Sequence, residues 1–235
     1  MYVLQVKDLN FRYKQQLILN DLEFSIPQGE IYGLVGKAKS GKSTILKLVL
    51  GLLRMPPATI FINGQDFCFQ RERIQSITGN IVDLPYYQGF LTAWENLKYW
   101  DIQFKYGEER ISEVLEIVGL TGCKNKKVKS LTLLQQRKLS VGIALFHNPD
   151  LLIFDDLFRG LDDKAKKELQ KLLVKIRKIG KTILLSSREF SDVAPISTHI
   201  GLLDSGKIVF SGTVEESSHY LTINIPFGKM PTFSS

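Results

Sequence analysis

Short runs of Ile, Leu and Val broken by polar pairs open the chain. Leu4–Leu9, Leu17–Ile26 and Ile31–Val35 read as strands, interrupted by Asn20-Asp21 and by Pro27-Gln28-Gly29. Apolar spacing predicts a helix over Lys42–Leu52, stopped by Pro56-Pro57, and then a hairpin over Thr59–Phe67 about Asn63-Gly64. From about Arg71 to His147 the pattern turns mainly helical, with Ile111, Val114, Leu115 and Val118 at i, i+3, i+4 and i+7. Leu151–Phe154 then reads as a buried parallel strand, Asp163–Ile179 as an amphipathic helix, Thr182–Ser186 as a strand and Ile200–Phe210 as two strands about Ser205-Gly206. Such alternation predicts an α/β fold: a parallel sheet with covering helices, an antiparallel β subdomain and an inserted helical subdomain. One domain is expected over 1–235, with 1–70 and 148–212 as core and β subdomain, 71–147 as the mainly helical part, and 213–235 as a tail to which the pattern assigns no role.

Composition narrows the class. With 235 residues, 44% of them hydrophobic, the chain can bury one substantial core. Its longest apolar stretches, such as Ile143–Phe146, are far shorter than the roughly 20 residues that span a bilayer. The start reads as a first strand and not as a secretory signal, which predicts a cytoplasmic address. Cys68 and Cys123 stand apart and the three histidines do not cluster, so neither a metal cluster nor a disulfide framework is expected. The net charge of +7 concentrates in Lys124–Lys129 and Lys164–Lys181. That charge reads as a solvated helix face and a basic turn, with anionic lipid headgroups as the sharper alternative. No nucleic-acid signature accompanies the lysines, so nucleic acid is not expected as a partner.

The strongest chemical signal is G-x-x-x-x-G-K-S, Gly36 to Ser43, between a predicted strand and a predicted helix. Backbone N–H groups there, those of Ser40, Gly41 and Thr44 among them, cradle phosphates; Lys42 reaches the terminal phosphates and the Ser43 hydroxyl serves Mg²⁺. Lys37 and Lys39 add charge inside the loop, and Lys39 stands where glycine is common, which predicts backbone strain. Asp155 and Asp156 end the later apolar run Leu151–Phe154, and Asp155 at a strand end supplies a Mg²⁺-binding carboxylate. The core is therefore expected to be that of a P-loop NTPase binding Mg·ATP.

In order and spacing the pieces from about Val3 to Gly212 resemble the ATP-binding subunits of ABC transporters. The resemblance rests on Tyr13 in FRYKQQLIL at the adenine-stacking position, on GEIYGLVGKAKSGKST, on FLTAWENL after the Q-loop, on SLTLLQQRKLSVGIALFHNPDLLIFDDLFRGLD, and on TILLSSREFSDVAPISTHIGLLDSGKIVFSG. It implies a head-to-tail dimer, homomeric or heteromeric, at the inner face of the membrane, with a separate membrane-spanning permease as partner. IVDLPYYQGFLTAWENL is also similar to a segment of bacteriocin-immunity and antimicrobial-peptide export ATPases, which points to peptide or lipid-like substrates. In such proteins the cleft beside that segment receives the permease, so Tyr86, Tyr87, Phe90 and Trp94 are candidate contacts.

The catalytic positions depart from the family pattern. LTLLQ, Leu131 to Gln135, replaces LSGGQ; Thr132 and Leu134 sit where the partner's nucleotide would be met, and Leu133 and Leu134 fill space that glycines leave open. Asp156 replaces the glutamate that orients water, and its carboxylate is shorter by about 1.5 Å, where misplacement near 1 Å costs on the order of 100-fold. Arg188 takes the switch-histidine position; it can pair with a phosphate but cannot accept a hydrogen bond. Asp83 takes the Q-loop position and remains a hard oxygen ligand for Mg²⁺ or its water. By the implied dimer geometry these defects touch both composite sites, so binding is expected to persist while hydrolysis is slow. The alternative is a non-hydrolysing regulatory or assembly subunit that holds ATP as a structural ligand. A P-loop phosphotransferase would need an acceptor site and a lid, for which no stretch is a candidate.

Overall fold

A computed structural model describes residues 1–224 apart from 55, 67, 69 and 84–86. The chain begins with β1 (Tyr2–Tyr13) and β2 (Gln16–Pro27), an antiparallel pair joined at Lys14-Gln15, and continues into β3 (Ile31–Gly36), which is buried throughout. Helix α1 (Lys42–Val49) follows the phosphate loop, and β4 (Ile60–Ile62) and β5 (Gln65–Asp66) form the predicted hairpin about Asn63-Gly64. Helix α2 (Arg71–Ile77) leads into β6 (Thr78–Ile81). Helices α3 (Ala93–Phe104), α4 (Glu108–Ile117) and α5 (Leu133–Leu145) come next. The chain closes with β7 (Leu151–Phe154), α6 (Asp163–Lys178), β8 (Thr182–Ser187), α7 (Phe190–Val193), β9 (His199–Asp204), β10 (Lys207–Thr213) and α8 (Val214–Asn224).

Two sheets result. The smaller is antiparallel, in the order β2-β1-β4-β5; the larger runs β10-β9-β3-β8-β7-β6, parallel except for β10. Its central strands are hydrophobic on both faces, as a sheet covered on both sides requires. Ile31, Val35, Leu152, Phe154, Ile183 and Leu185 face one core, with Val114, Leu139 and Leu173 of the helices. Their alternates Tyr32, Leu34, Leu151, Ile153 and Leu184 face a second core with α1 and the antiparallel sheet. Helix α6 shows the predicted stripe, burying Leu169, Leu172, Leu173 and Ile176, and Asp162 caps it by accepting the Ala165 N–H at 2.8 Å.

Three details differ from the sequence expectation. The first helix ends at Val49 and not at Leu52, because Gly51 takes φ 64° and the N–H groups of Leu52 and Leu53 turn back to the Lys47 carbonyl. That is a glycine-type stop placed before the prolines. The stretch 71–147, read as mainly helical, contains β6, which pairs with β7 at the edge of the main sheet. The stretch after Gly212, read as weakly patterned and given no role, carries helix α8, where Ser217 is buried and Tyr220 packs on Phe210 at 5.1 Å.

Candidate functional site

Four neighbouring parallel strands, β3, β8, β7 and β6, end on the same edge of the sheet, where ligands of open α/β sheets bind. The loop after β3 carries Lys37 to Gly41, that after β8 carries Arg188, that after β7 carries Asp155 and Asp156, and that after β6 carries Asp83. Together they line a cleft of about 490 Å³ whose wall includes Lys39, Lys42, Ser43, Asp83, Asp155, Asp156 and Arg188. Strand β6 is thus what brings Asp83 to the site.

The phosphate loop is built from tight backbone. A Cβ on Gly36 would clash with the Leu203 carbonyl and lie 2.7 Å from Ser40 Oγ, so only glycine fits. Gly41 has φ 112°, and Lys39 has φ 64°, the strained left-handed backbone that its sequence position predicts. The Gly206 N–H donates to the Ser40 carbonyl at 3.0 Å, bracing the loop on the β9–β10 turn. Lys42 is buried and its Nζ donates to the Gly36 and Lys37 carbonyls at 2.5 and 2.9 Å. Burial pushes its ammonium below the ordinary lysine range, against the pull of Asp155 and Asp156.

The facing carboxylates are held by β8. The Ser186 hydroxyl donates to Asp155 Oδ1 and accepts the Asp156 N–H at 3.1 Å. Asp156 has φ 49°, and its Oδ2 lies 3.5 Å from Arg188 Nε, so two of the departures from the family pattern form an ion pair with each other. Asp83, at φ 75°, pairs with Lys47 at 2.8 Å. Sequence reasoning assigned nothing to Ser186, nor to Arg137 and Arg159, which also line the cleft; RGLD and LLQQRK held the two arginines in view, but no spacing rule links them to the phosphate loop.

The remaining predicted site residues lie elsewhere. Tyr13 ends β1, 60% exposed and outside the cleft wall. Thr44 is in the first turn of α1. Thr132 caps α5 in a reciprocal box with Gln135, at 3.3 and 3.0 Å, which puts Leu133, 40% exposed, and Leu134 in the first turn. The Tyr87 hydroxyl donates to Gln136 Oε1 at 2.9 Å, Phe90 is 65% exposed, and Lys124 Nζ sits 5.2 Å from the Trp94 ring centre; Tyr86 lies outside the described residues.

The residues present fit a Mg-nucleotide. Ser40 Oγ is buried with no hydrogen-bond partner beside the loop, and the Gly36 cradle would close if a Cβ were added. Ser43 and Asp155 offer hard oxygens on one cleft, and no cluster of three metal-ligating side chains occurs among the described residues. That set suits Mg²⁺, which takes one or two carboxylates plus substrate phosphates.

The family model described as ABC transporter matches residues 19–159 of the chain. The chain belongs to the ABC transporter family. The lantibiotic transport ATP-binding protein SrtF of Streptococcus pyogenes is 30% identical over 217 residues, 92% of this chain and 93% of that one. The bacitracin transport ATP-binding protein BcrA of Bacillus licheniformis is 35% identical over 214 residues, 88% of this chain and 68% of that one. The structure of cbiO1 from Clostridium perfringens, part of the ABC transporter complex cbiONQ, superposes with a TM-score of 0.86 over 96% of both chains at 22% identity, a likeness of fold. Within the ABC transporter family this chain is of the ATP-binding subunit type, as its phosphate loop and its near full-length match to SrtF require. No described helix is long and apolar enough to cross a membrane.

Proposed function

We propose that this ABC subunit binds Mg·ATP in the cleft at the ends of β3, β8, β7 and β6 and hydrolyses it slowly. Nucleotide binding and dimer closure then do most of the switching of a separate membrane permease. The observation that carries the reading is the Asp156–Arg188 ion pair facing an intact phosphate loop. Lys42 and the loop N–H groups hold phosphates, Ser43 and Asp155 hold the metal, and bound Mg²⁺ would neutralise charge on the phosphates. Asp156 is short for orienting a water and shares its carboxylate with a guanidinium, which makes it a poor acceptor for a water proton. Leu133 and Leu134 at the start of α5 put side chains where a close backbone approach to a partner's nucleotide would be made. The likeness to SrtF and BcrA supports export of peptide-like or lipid-like compounds. Phe90, Tyr87 and Trp94 are the proposed permease contacts, at the inner face of the membrane.

The test is a single-turnover assay with radiolabelled Mg·ATP and excess purified chain. Bound label should remain ATP for hours; rapid conversion to ADP that disappears in Lys42→Ala would refute slow hydrolysis. Co-purification with a soluble partner in place of a membrane protein would favour the regulatory-subunit reading.

A further inference from the structure

Charge in the cleft does not balance. Five cationic side chains line it, Lys39, Lys42, Arg137, Arg159 and Arg188, against the carboxylates of Asp83, Asp155 and Asp156. Each carboxylate is already engaged: Asp83 by Lys47, which stands outside the cleft wall, Asp155 by the Ser186 hydroxyl, and Asp156 by Arg188. Among the described ion pairs Arg188 has a carboxylate partner, while Arg137 and Arg159 have none. Arg137 makes a bond to backbone instead, its Nη2 donating to the Arg159 carbonyl at 3.4 Å, and its Nε is buried with no hydrogen-bond partner.

The two arginines come from different elements. Arg137 lies in α5 just past the Thr132–Gln135 cap, and Arg159 lies in the turn closed by its own N–H donating to the Asp156 carbonyl at 3.1 Å. A guanidinium keeps its proton and presents five donors in a plane that matches an oxyanion. Two such groups lining one cleft repel each other, and Arg137 keeps an unmet donor at Nε, a cost that a bound anion lowers. The phosphate loop needs neither of them, because Lys42, Ser43 and the helix N–H groups already serve the phosphates beside β3.

We propose that Arg137 and Arg159 form a second oxyanion site in this cleft, across from the phosphate loop, that takes a tetrahedral phosphate group. The group is either the terminal phosphate of a nucleoside triphosphate or a free phosphate ion held beside a diphosphate. This rests on the reading of the cleft as a nucleotide site. The site grades nucleotides by phosphate count: a diphosphate meets the loop alone, and a triphosphate meets both walls.

The test is equilibrium titration of the full chain with Mg·ATP, Mg·ADP, and Mg·ADP plus inorganic phosphate. It compares wild type with Arg159→Gln, Arg137→Gln and, as a charge control on the exposed face of α6, Lys171→Gln. Arg159→Gln and Arg137→Gln are expected to weaken ATP on the order of tenfold and ADP by no more than about twofold, as the loss of a charge-assisted hydrogen bond predicts. Lys171→Gln should leave the ATP-to-ADP ratio as in wild type. Inorganic phosphate that tightens ADP in wild type but not in Arg159→Gln assigns the site to free phosphate as well; phosphate without effect, with the ATP loss intact, assigns it to the nucleotide's terminal phosphate. An unchanged ATP-to-ADP ratio in both arginine variants overturns the proposal. Failure of wild type to bind any nucleotide, or binding that survives Lys42→Ala, overturns the nucleotide reading and the proposal with it. Arg159→Gln carries the test alone if loss of the Arg137 bond to the turn unsettles the fold, which thermal melting of the nucleotide-free chains will show.

Discussion

On one side of the cleft Lys42 rises from a loop that Gly36, Ser40 and Gly41 pack from backbone and buried atoms, whereas Asp83, Asp156, Arg159 and Arg188 make the other side from partly or fully exposed charges. On the first side a single added carbon meets Leu203 or Leu19. On the second, side chains end in a cleft open to water, where a change of length or charge costs the fold little. The departures at catalytic positions fall on that second side and at the start of α5, while the loop departs only at Lys39, whose left-handed backbone is kept. The difference teaches that the groups proposed for binding and for turnover are under unlike constraints: close packing holds the phosphate loop, and little but function holds the groups that would activate water.

Removing the central cation of the packed side should have the largest effect. Lys42→Ala is expected to lower ATP affinity on the order of 100-fold in a fluorescence titration, since it deletes the partly desolvated ammonium proposed to meet the phosphates. Next comes Gly36→Ala, which forces a methyl against the Leu203 carbonyl. A loss of roughly 1–3 kcal/mol in denaturant unfolding is expected, and an unchanged midpoint would show that this side is less tightly built than the geometry says.

On the charged side the effects should be kinetic. Asp156→Glu combined with Arg188→His lengthens the carboxylate and releases it from the guanidinium, and should raise the single-turnover rate on the order of tenfold with little change in melting temperature. If the pair is what silences Asp156, Asp156→Glu alone will give less, because Arg188 can still reach the longer side chain.

The smallest effect concerns how α5, which carries Arg137, is tied to the sheet. His147 Nε2 donates to the Thr78 carbonyl of β6 at 3.1 Å, and burial, aided by Arg110 and Lys181, pushes its imidazole below the ordinary histidine range. An unfolded chain takes that proton near pH 6.5, while the folded one takes it only at lower pH. Stability is therefore lost as pH falls from about 7 through 6.5, and the loss levels off once the folded imidazole titrates. A decrease in melting temperature of roughly 1–3 °C is expected over that window, and His147→Gln should flatten it.

Much of this was legible along the chain because it depends on neighbours in sequence. The apolar runs at Ile31–Val35 and Leu151–Phe154 announce buried strands, Asn63-Gly64 announces the hairpin, and the loop from Gly36 to Ser43 carries its own geometry in its glycines. Strand β6 was not legible: Thr78-Gly79-Asn80-Ile81 has no run of apolar residues, and its glycine answers to the Ala144 carbonyl, where a Cβ would clash. The end of α1 at Val49, set by Gly51 two residues on, was hidden by the prolines downstream.

Local chemistry, then, sets out the phosphate loop, the strand that presents Asp155 and the helices that cover the sheet, since hydrophobic period and backbone freedom act over a few residues. Which charges meet is decided by strand order. β8 inserts between β3 and β7, so Ser186 can hold Asp155 and Arg188 can reach Asp156; β6 pairs beyond β7, so Asp83 joins the cleft; and α5 returns over the same edge with Arg137. Ion pairs and clefts form between side chains brought together by the fold, and no spacing along the chain records their meeting.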